Sequence, residues 1–136
     1  MDFIKSMGIA ASGLRAQAGR MRVISENIAN ADSTASAAGG DPYRRKIPTF
    51  TSELDRTLDA RVLKMGAIGR DNSEFRFKYD PSHPAADANG NVKLPNVNAL
   101  VEMTDLREAQ RSYEANLNIV TATRRMIQRT LDILRA

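Results

Sequence analysis

The sequence predicts a mainly α fold: a long heptad-patterned helix at each end, the two packing as a coiled-coil-like pair, with a small β-containing insert between them. Three observations carry this. Apolar residues recur at alternating spacings of three and four over both ends of the 136-residue chain. The middle loses that period and is punctuated by Gly and Pro. Within the middle, one short segment alternates strictly between apolar and polar residues.

The N-terminal stripe is Ile4, Met7, Ala11, Leu14, Ala18, Met21, Ser25 and Ile28. It alternates large residues with Ala or Ser, which lets another helix approach closely. The helix is expected to span residues 1–31. A connector and extended insert follow over 32–98. Residues 31–42 are small, polar and Gly-rich and read as a loop leading to the basic run Tyr43-Arg44-Arg45-Lys46. The stretch from Leu54 to Met65 suits a short helix or a strand equally well. Glu74 to Tyr79 is the clearest strand, with Phe75, Phe77 and Tyr79 on one face. Asn91 to Leu94 could pair with it across a turn that holds two Pro and Asn89-Gly90. The C-terminal helix is expected over 99–136, with 1–31 and 99–136 forming one helical domain. Its stripe is Met103, Leu106, Gln110, Tyr113, Leu117, Val120, Arg124, Ile127, Leu131 and Leu134. Gln110 and Arg124 read as polar interruptions, which fix register or partner choice. At ~1.5 Å per residue this helix is roughly 50 Å long.

Aromatics make up 5% of the chain and Trp is absent, so a deep core is hard to build. The insert is too small to cover both stripes, which argues that neighbouring chains cover part of them. An ordinary helical hairpin core accounts for the same periodicity.

The absence of Cys excludes disulfide scaffolds, Cys-ligated metals and Cys nucleophiles. His83, the single histidine, lies in a loop between Ser82 and Pro84, and nothing in the spacing brings a nucleophile to it. Asp80 and Asp87 flank it without a metal-loop pattern. Gly39-Gly40 and Gly66-x-x-Gly69 are not followed by a phosphate-loop Lys-Ser/Thr. The sequence therefore offers no catalytic, metal-binding or cofactor-binding residue, and neither an enzyme nor a small-molecule substrate is expected. The net charge of +4 permits an anionic partner without requiring one. A basic helical dimer that binds nucleic acid is the second reading, resting on Arg44, Arg45, Lys46 and the arginines of the C-terminal helix. Interleaved Glu and Asp weigh against it. The N-terminus lacks a basic leader region, and no stretch approaches the ~20 apolar residues of a membrane span.

Two segments carry a resemblance. SGLRAQAGRMRVISENIANADST (12–34) resembles the N-terminal motif of the bacterial flagellar axial proteins, with Asn27, Ala29 and Asn30 matching its Asn-x-Ala-Asn stretch. EMTDLREAQRSYEANLNIVTATRRMIQRTLDIL (102–134) resembles the C-terminal helix of that family, most specifically at Arg111, Ser112, Tyr113, Glu114, Ala115 and Asn116. The extended connector, together with YDPSHPAADANGNVKLPNVN (79–98), resembles the proximal-rod subtype. The resemblance implies a structural rod subunit that assembles with copies of itself and other rod subunits into a helical axial tube, transmits torque, and involves neither nucleic acid nor a cofactor. It implies export through the flagellar type III apparatus without a cleaved signal, and a place in the periplasmic part of the basal body. On that reading Ile4, Met7, Leu14, Met21, Ile28, Met103, Leu106, Tyr113, Leu117, Val120, Ile127, Leu131 and Leu134 form the inter-helix seam. Tyr43, Arg44, Arg45 and Lys46 then meet carboxylates of an adjacent subunit. The terminal helices are expected to stay unfolded until assembly covers them.

Overall fold

The computed structural model describes residues 2–135. Helix α1 runs Phe3–Ala29 and helix α2 Ala99–Arg135. Between them lie β1 (Lys46–Ile47), β2 (Phe50–Asp55), β3 (Ala60–Met65), β4 (Gly69–Arg70), β5 (Arg76–Tyr79) and β6 (Asn91–Leu94). The strands form three separate two-stranded antiparallel sheets, β1–β4, β2–β3 and β5–β6. The expected architecture is therefore present: two long terminal helices that pack together, with a small antiparallel insert.

Both helices begin with a side-chain cap. Asp2 Oδ1 accepts the Lys5 N–H at 3.0 Å, and Asn98 Oδ1 accepts that of Leu100 at 3.1 Å. At the end of α1 the Asn30 side-chain amide turns back to donate to the Glu26 carbonyl at 2.8 Å, which also accepts the Asn30 backbone N–H at 3.1 Å.

The chain forms two compact units, to each of which both helices contribute. The first holds residues 2–21, 49–67 and 107–135. Here Leu54 to Met65 resolves into strand, turn and strand. Asp55 Oδ1 accepts the N–H groups of Thr57 and Leu58, and Asp59 turns the chain at a φ of 46°. A local carboxylate thus closes a hairpin where apolar content alone left helix and strand level. The Leu63 N–H donates to Ser12 Oγ at 3.2 Å, fastening the hairpin to α1. Glycine permits this close approach. A Cβ on Gly8 would stand 2.6 Å from Leu58, and one on Gly13 would stand 2.9 Å from the Asn116 amide of α2. Arg20 and Glu108 pair at 3.6 Å nearby.

The second unit holds residues 22–48 and 68–106. Val23, Ile24, Ala31, Ala85, Val92 and Val97 are among its buried apolar residues, joined by buried Asn27 and Glu102. The β5–β6 pairing matches the expected one, with Tyr79 opposite Asn91. Phe77 and Tyr79 do share a face, but that face is open to solvent.

Along α2 the buried residues are Glu102, Ala109 and Thr123, and half-buried Leu106, Tyr113, Asn116, Val120 and Ile127 complete their row, flanked by Asp105 and Ser112. This is a heptad stripe, and it shares Leu106, Tyr113, Val120 and Ile127 with the expected one. At the alternate positions it runs one residue earlier. Gln110 and Arg124 are exposed, and Ala109 and Thr123 take the inward places beside them. The inward face thus alternates large residues with small or polar ones, which is how α1 comes close.

Candidate functional site: the connector and the helix faces

The connector is built on Asn27, which is 0% exposed. Its amide oxygen accepts the Tyr43 hydroxyl at 2.8 Å and the Lys46 backbone N–H at 3.0 Å. Its NH₂ donates to the Lys46 carbonyl at 2.8 Å and to Glu102 Oε2 at 3.1 Å. An asparagine has two acceptor and two donor positions, and all four are used. An Asp could not donate, and a Gln would sit a methylene too far out. This is the physical content of the motif residue at 27.

Glu102, 1% exposed, receives the Arg45 guanidinium on its other oxygen. Arg45 also lies 3.5 Å from Asp71, and its backbone N–H donates to Asn96 Oδ1 at 2.8 Å. Burial disfavours the charge on Arg45, but the hydrogen bond and charge of Glu102, then Asp71, outweigh it, so its pKa rises. Arg44 donates to the carbonyls of Asp71 and Ser73 at 3.0 and 3.2 Å and stacks 4.3 Å over the Phe75 ring. Lys46 Nζ binds Glu26 at 2.7 Å. All three connector cations thus meet carboxylates or carbonyls of this same chain.

The hydrogen bond from Lys46, and then its charge, lower the pKa of Glu26. The backbone N–H of Ser73, then its side chain, lower that of Asp71. A carboxylate with a depressed folded-state pKa contributes stability that is present above the unfolded pKa and lost as pH falls through the folded one. Stability should therefore hold from neutral pH down to the ordinary carboxylate range of about 4, then decline. Thermal unfolding of the purified chain across this range checks it. Asp71→Asn should flatten the decline, and an unchanged slope would exclude Asp71 as a contributor.

The seam residues fall into two sets. Met7, Leu14, Met21, Ile28, Leu106, Tyr113, Val120 and Ile127 are half-buried. Ile4, Met103, Leu117, Leu131 and Leu134 are exposed, Leu134 at 77%. Phe3 and Ile4, at the start of α1, line an open cleft with Ile127. Leu131 and Leu134 lie further along α2, past the start of α1. Of the motif residues, Ala29 and Arg111 are exposed, and the Asn116 amide donates to the Ser112 carbonyl at 2.9 Å while facing Gly13.

Sequence reasoning missed Glu102, Asp71 and Asn96. For Glu102 a signal existed: it is the one acid in the first turn of α2, set among Leu100, Val101 and Met103. Among the described residues no helix is long and apolar enough to cross a membrane.

Comparison with known proteins follows the same map. Residues 7–36 match the family described as "Flagella basal body rod protein". Residues 88–133 match "Flagellar basal body rod FlgEFG protein C-terminal". The chain is 53% identical over 128 residues to the flagellar basal-body rod protein FlgC of Agrobacterium fabrum, covering 94% of this chain and 92% of that one. It is 39% identical to FlgC of Bacillus subtilis, covering 98% and 99% of the two chains. It is 35% identical to FlgC of Salmonella typhimurium, covering 98% of each.

Proposed function

Because this chain belongs to the FlgC family of flagellar basal-body rod proteins, we propose that it works as a proximal-rod subunit whose open helix faces are closed by neighbouring subunits. It is a structural component of the flagellar basal body and assembles with other rod components. The observation that carries the finer reading is the seam itself. Ile4, Met103, Leu117, Leu131 and Leu134 continue the heptad stripes yet stay exposed in the single chain. A heterologous contact that repeats without closing builds a helical filament. Neighbouring helices laid over these residues would form such an axial tube. Many modest helix contacts acting together give it the stiffness that torque transmission needs. The subunit leaves the cytoplasm by the flagellar type III pathway and joins the periplasmic rod.

The connector has a supporting part. By pinning residues 43–46 to Asn27 and Glu102, it holds the exit of α1 against the start of α2 and so sets how the helix faces are presented to neighbours. The nucleic-acid reading loses its connector cations, since Arg44, Arg45 and Lys46 are already engaged within the chain, and keeps only the arginines of α2, among which Glu108, Glu114 and Asp132 are interleaved.

Deleting the gene should give cells without a rod beyond the membrane ring and without motility, both restored by the wild-type chain. Complete rods and normal swimming in the deletion strain would overturn the proposal.

A further inference from the structure

Two buried amides on α1 are treated in opposite ways. Asn27 uses all four of its hydrogen-bonding positions. Gln17 is 9% exposed, and its side-chain oxygen meets no hydrogen-bond donor among the described residues. Buried polar atoms are nearly always paired, and one that is not carries the full cost of leaving water.

The place of Gln17 in the fold decides what that cost acts on. Gly13, Gln17 and Arg20 follow at spacings of four and three, so they share one face of α1. A Cβ on Gly13 would stand 2.9 Å from the Asn116 amide, and Arg20 pairs with Glu108 at 3.6 Å. Gln17 therefore lies between two points at which α1 meets α2, level with Ser112, which is midway between Glu108 and Asn116. All of these residues belong to the first compact unit. The hairpin side of α1 has no such defect: Ser12 Oγ donates to the Ile9 carbonyl at 2.6 Å and accepts the Leu63 N–H at 3.2 Å. The unmet acceptor thus falls on the helix seam, not on the hairpin contact.

We infer that Gln17 is a release point in the α1–α2 seam: its unpaired oxygen holds this helix pair below full strength, so that the two helices part readily before the subunit is built into the rod. The inference rests on the rod-subunit reading, because a chain that leaves the cytoplasm by the type III pathway has to surrender its helix pairing on the way. When the seam opens, water reaches the oxygen and the cost disappears, so the penalty falls on the closed pair alone. An apolar side chain of the same shape would close the seam more firmly and hold it shut.

Gln17→Met tests this, since methionine is similarly long and unbranched but has no amide to satisfy. In the purified full chain, with unchanged circular dichroism, hydrogen exchange of peptides covering 10–21 and 107–120 should slow by about tenfold, the loss of one unmet buried group. Peptides covering 76–97, in the second unit, should exchange as in wild type. Gln17→Glu buries a charge in place of the amide and should speed exchange in the same two peptides. Unchanged or faster exchange in Gln17→Met overturns the inference, because the amide is then bonded, through water or turned over onto a carbonyl. In the deletion strain the Gln17→Met chain should reach basal bodies more slowly than wild type. If it slows exchange yet enters basal bodies at the wild-type rate, this inference fails and the rod reading stands. If the wild-type chain is itself absent from basal bodies, it is the rod reading that fails.

Discussion

Replacing Leu117 by Pro should abolish rod assembly and motility. Leu117 stands midway along α2, where its N–H closes the helical turn to Tyr113 and its carbonyl accepts the Thr121 hydroxyl at 3.0 Å. Proline removes that N–H and drives its ring into the carbonyl four residues back, which costs about 3 kcal/mol or more in a helix interior. The break falls one residue after Asn116, the amide packed over Gly13, and divides the length of α2 that lies along α1, which continues to Ile127 beside Phe3 and Ile4. Leu117→Ala separates the two effects. Alanine keeps the helix, and the side chain it removes is half exposed in the single chain. That variant should fold as well as wild type and assemble less well. A swimming Leu117→Pro strain would remove the continuous helix from the account.

Glu102→Ala should cost about 3 kcal/mol of folding stability, the lower end of the range for breaking a buried ion pair from one side. The substitution strands the Arg45 guanidinium and one donor of the fully buried Asn27. The lower end applies because Arg45 is 23% exposed and keeps Asp71 beside it. Denaturant unfolding of the purified chain measures the loss. Hydrogen exchange should place it in residues 22–48 and 68–106. A change below about 0.5 kcal/mol, the size of an ordinary surface substitution, would show that the polar cluster contributes little.

Much of this was legible in the sequence for a physical reason: long helices repeat one pattern many times. Residues 4–28 and 103–134 each offer several turns of agreement, so both helices were found and ended near where they were expected. The stripe on α2 was half a step off, because a run with Met103, Gln110, Leu117 and Arg124 is as periodic as one with Glu102, Ala109, Asn116 and Thr123. Apolarity favours the first run, but the second has the small residues that allow α1 to approach. The hairpin over 50–65 was undecidable because its turn depends on one carboxylate, Asp55, accepting two neighbouring N–H groups. The connector is hard to read for a different reason. Three adjacent cations suggest an external anion. Their partners, Glu26, Asp71 and Glu102, are 20 to 57 residues distant in sequence, and only the fold brings them in. Phe77 and Tyr79 show the limit of alternation, which tells which residues share a face and not which face is buried.

The most direct test of the central claim, that neighbours complete the helix faces, is hydrogen exchange read peptide by peptide on the dilute chain and on the same chain within purified basal bodies. Amides from Arg111 to Arg135 should exchange quickly in the dilute chain and become strongly protected in the basal body, because their outward faces are covered only there. Equal and strong protection of that segment in both states would contradict the account, since the helices would then need no neighbour.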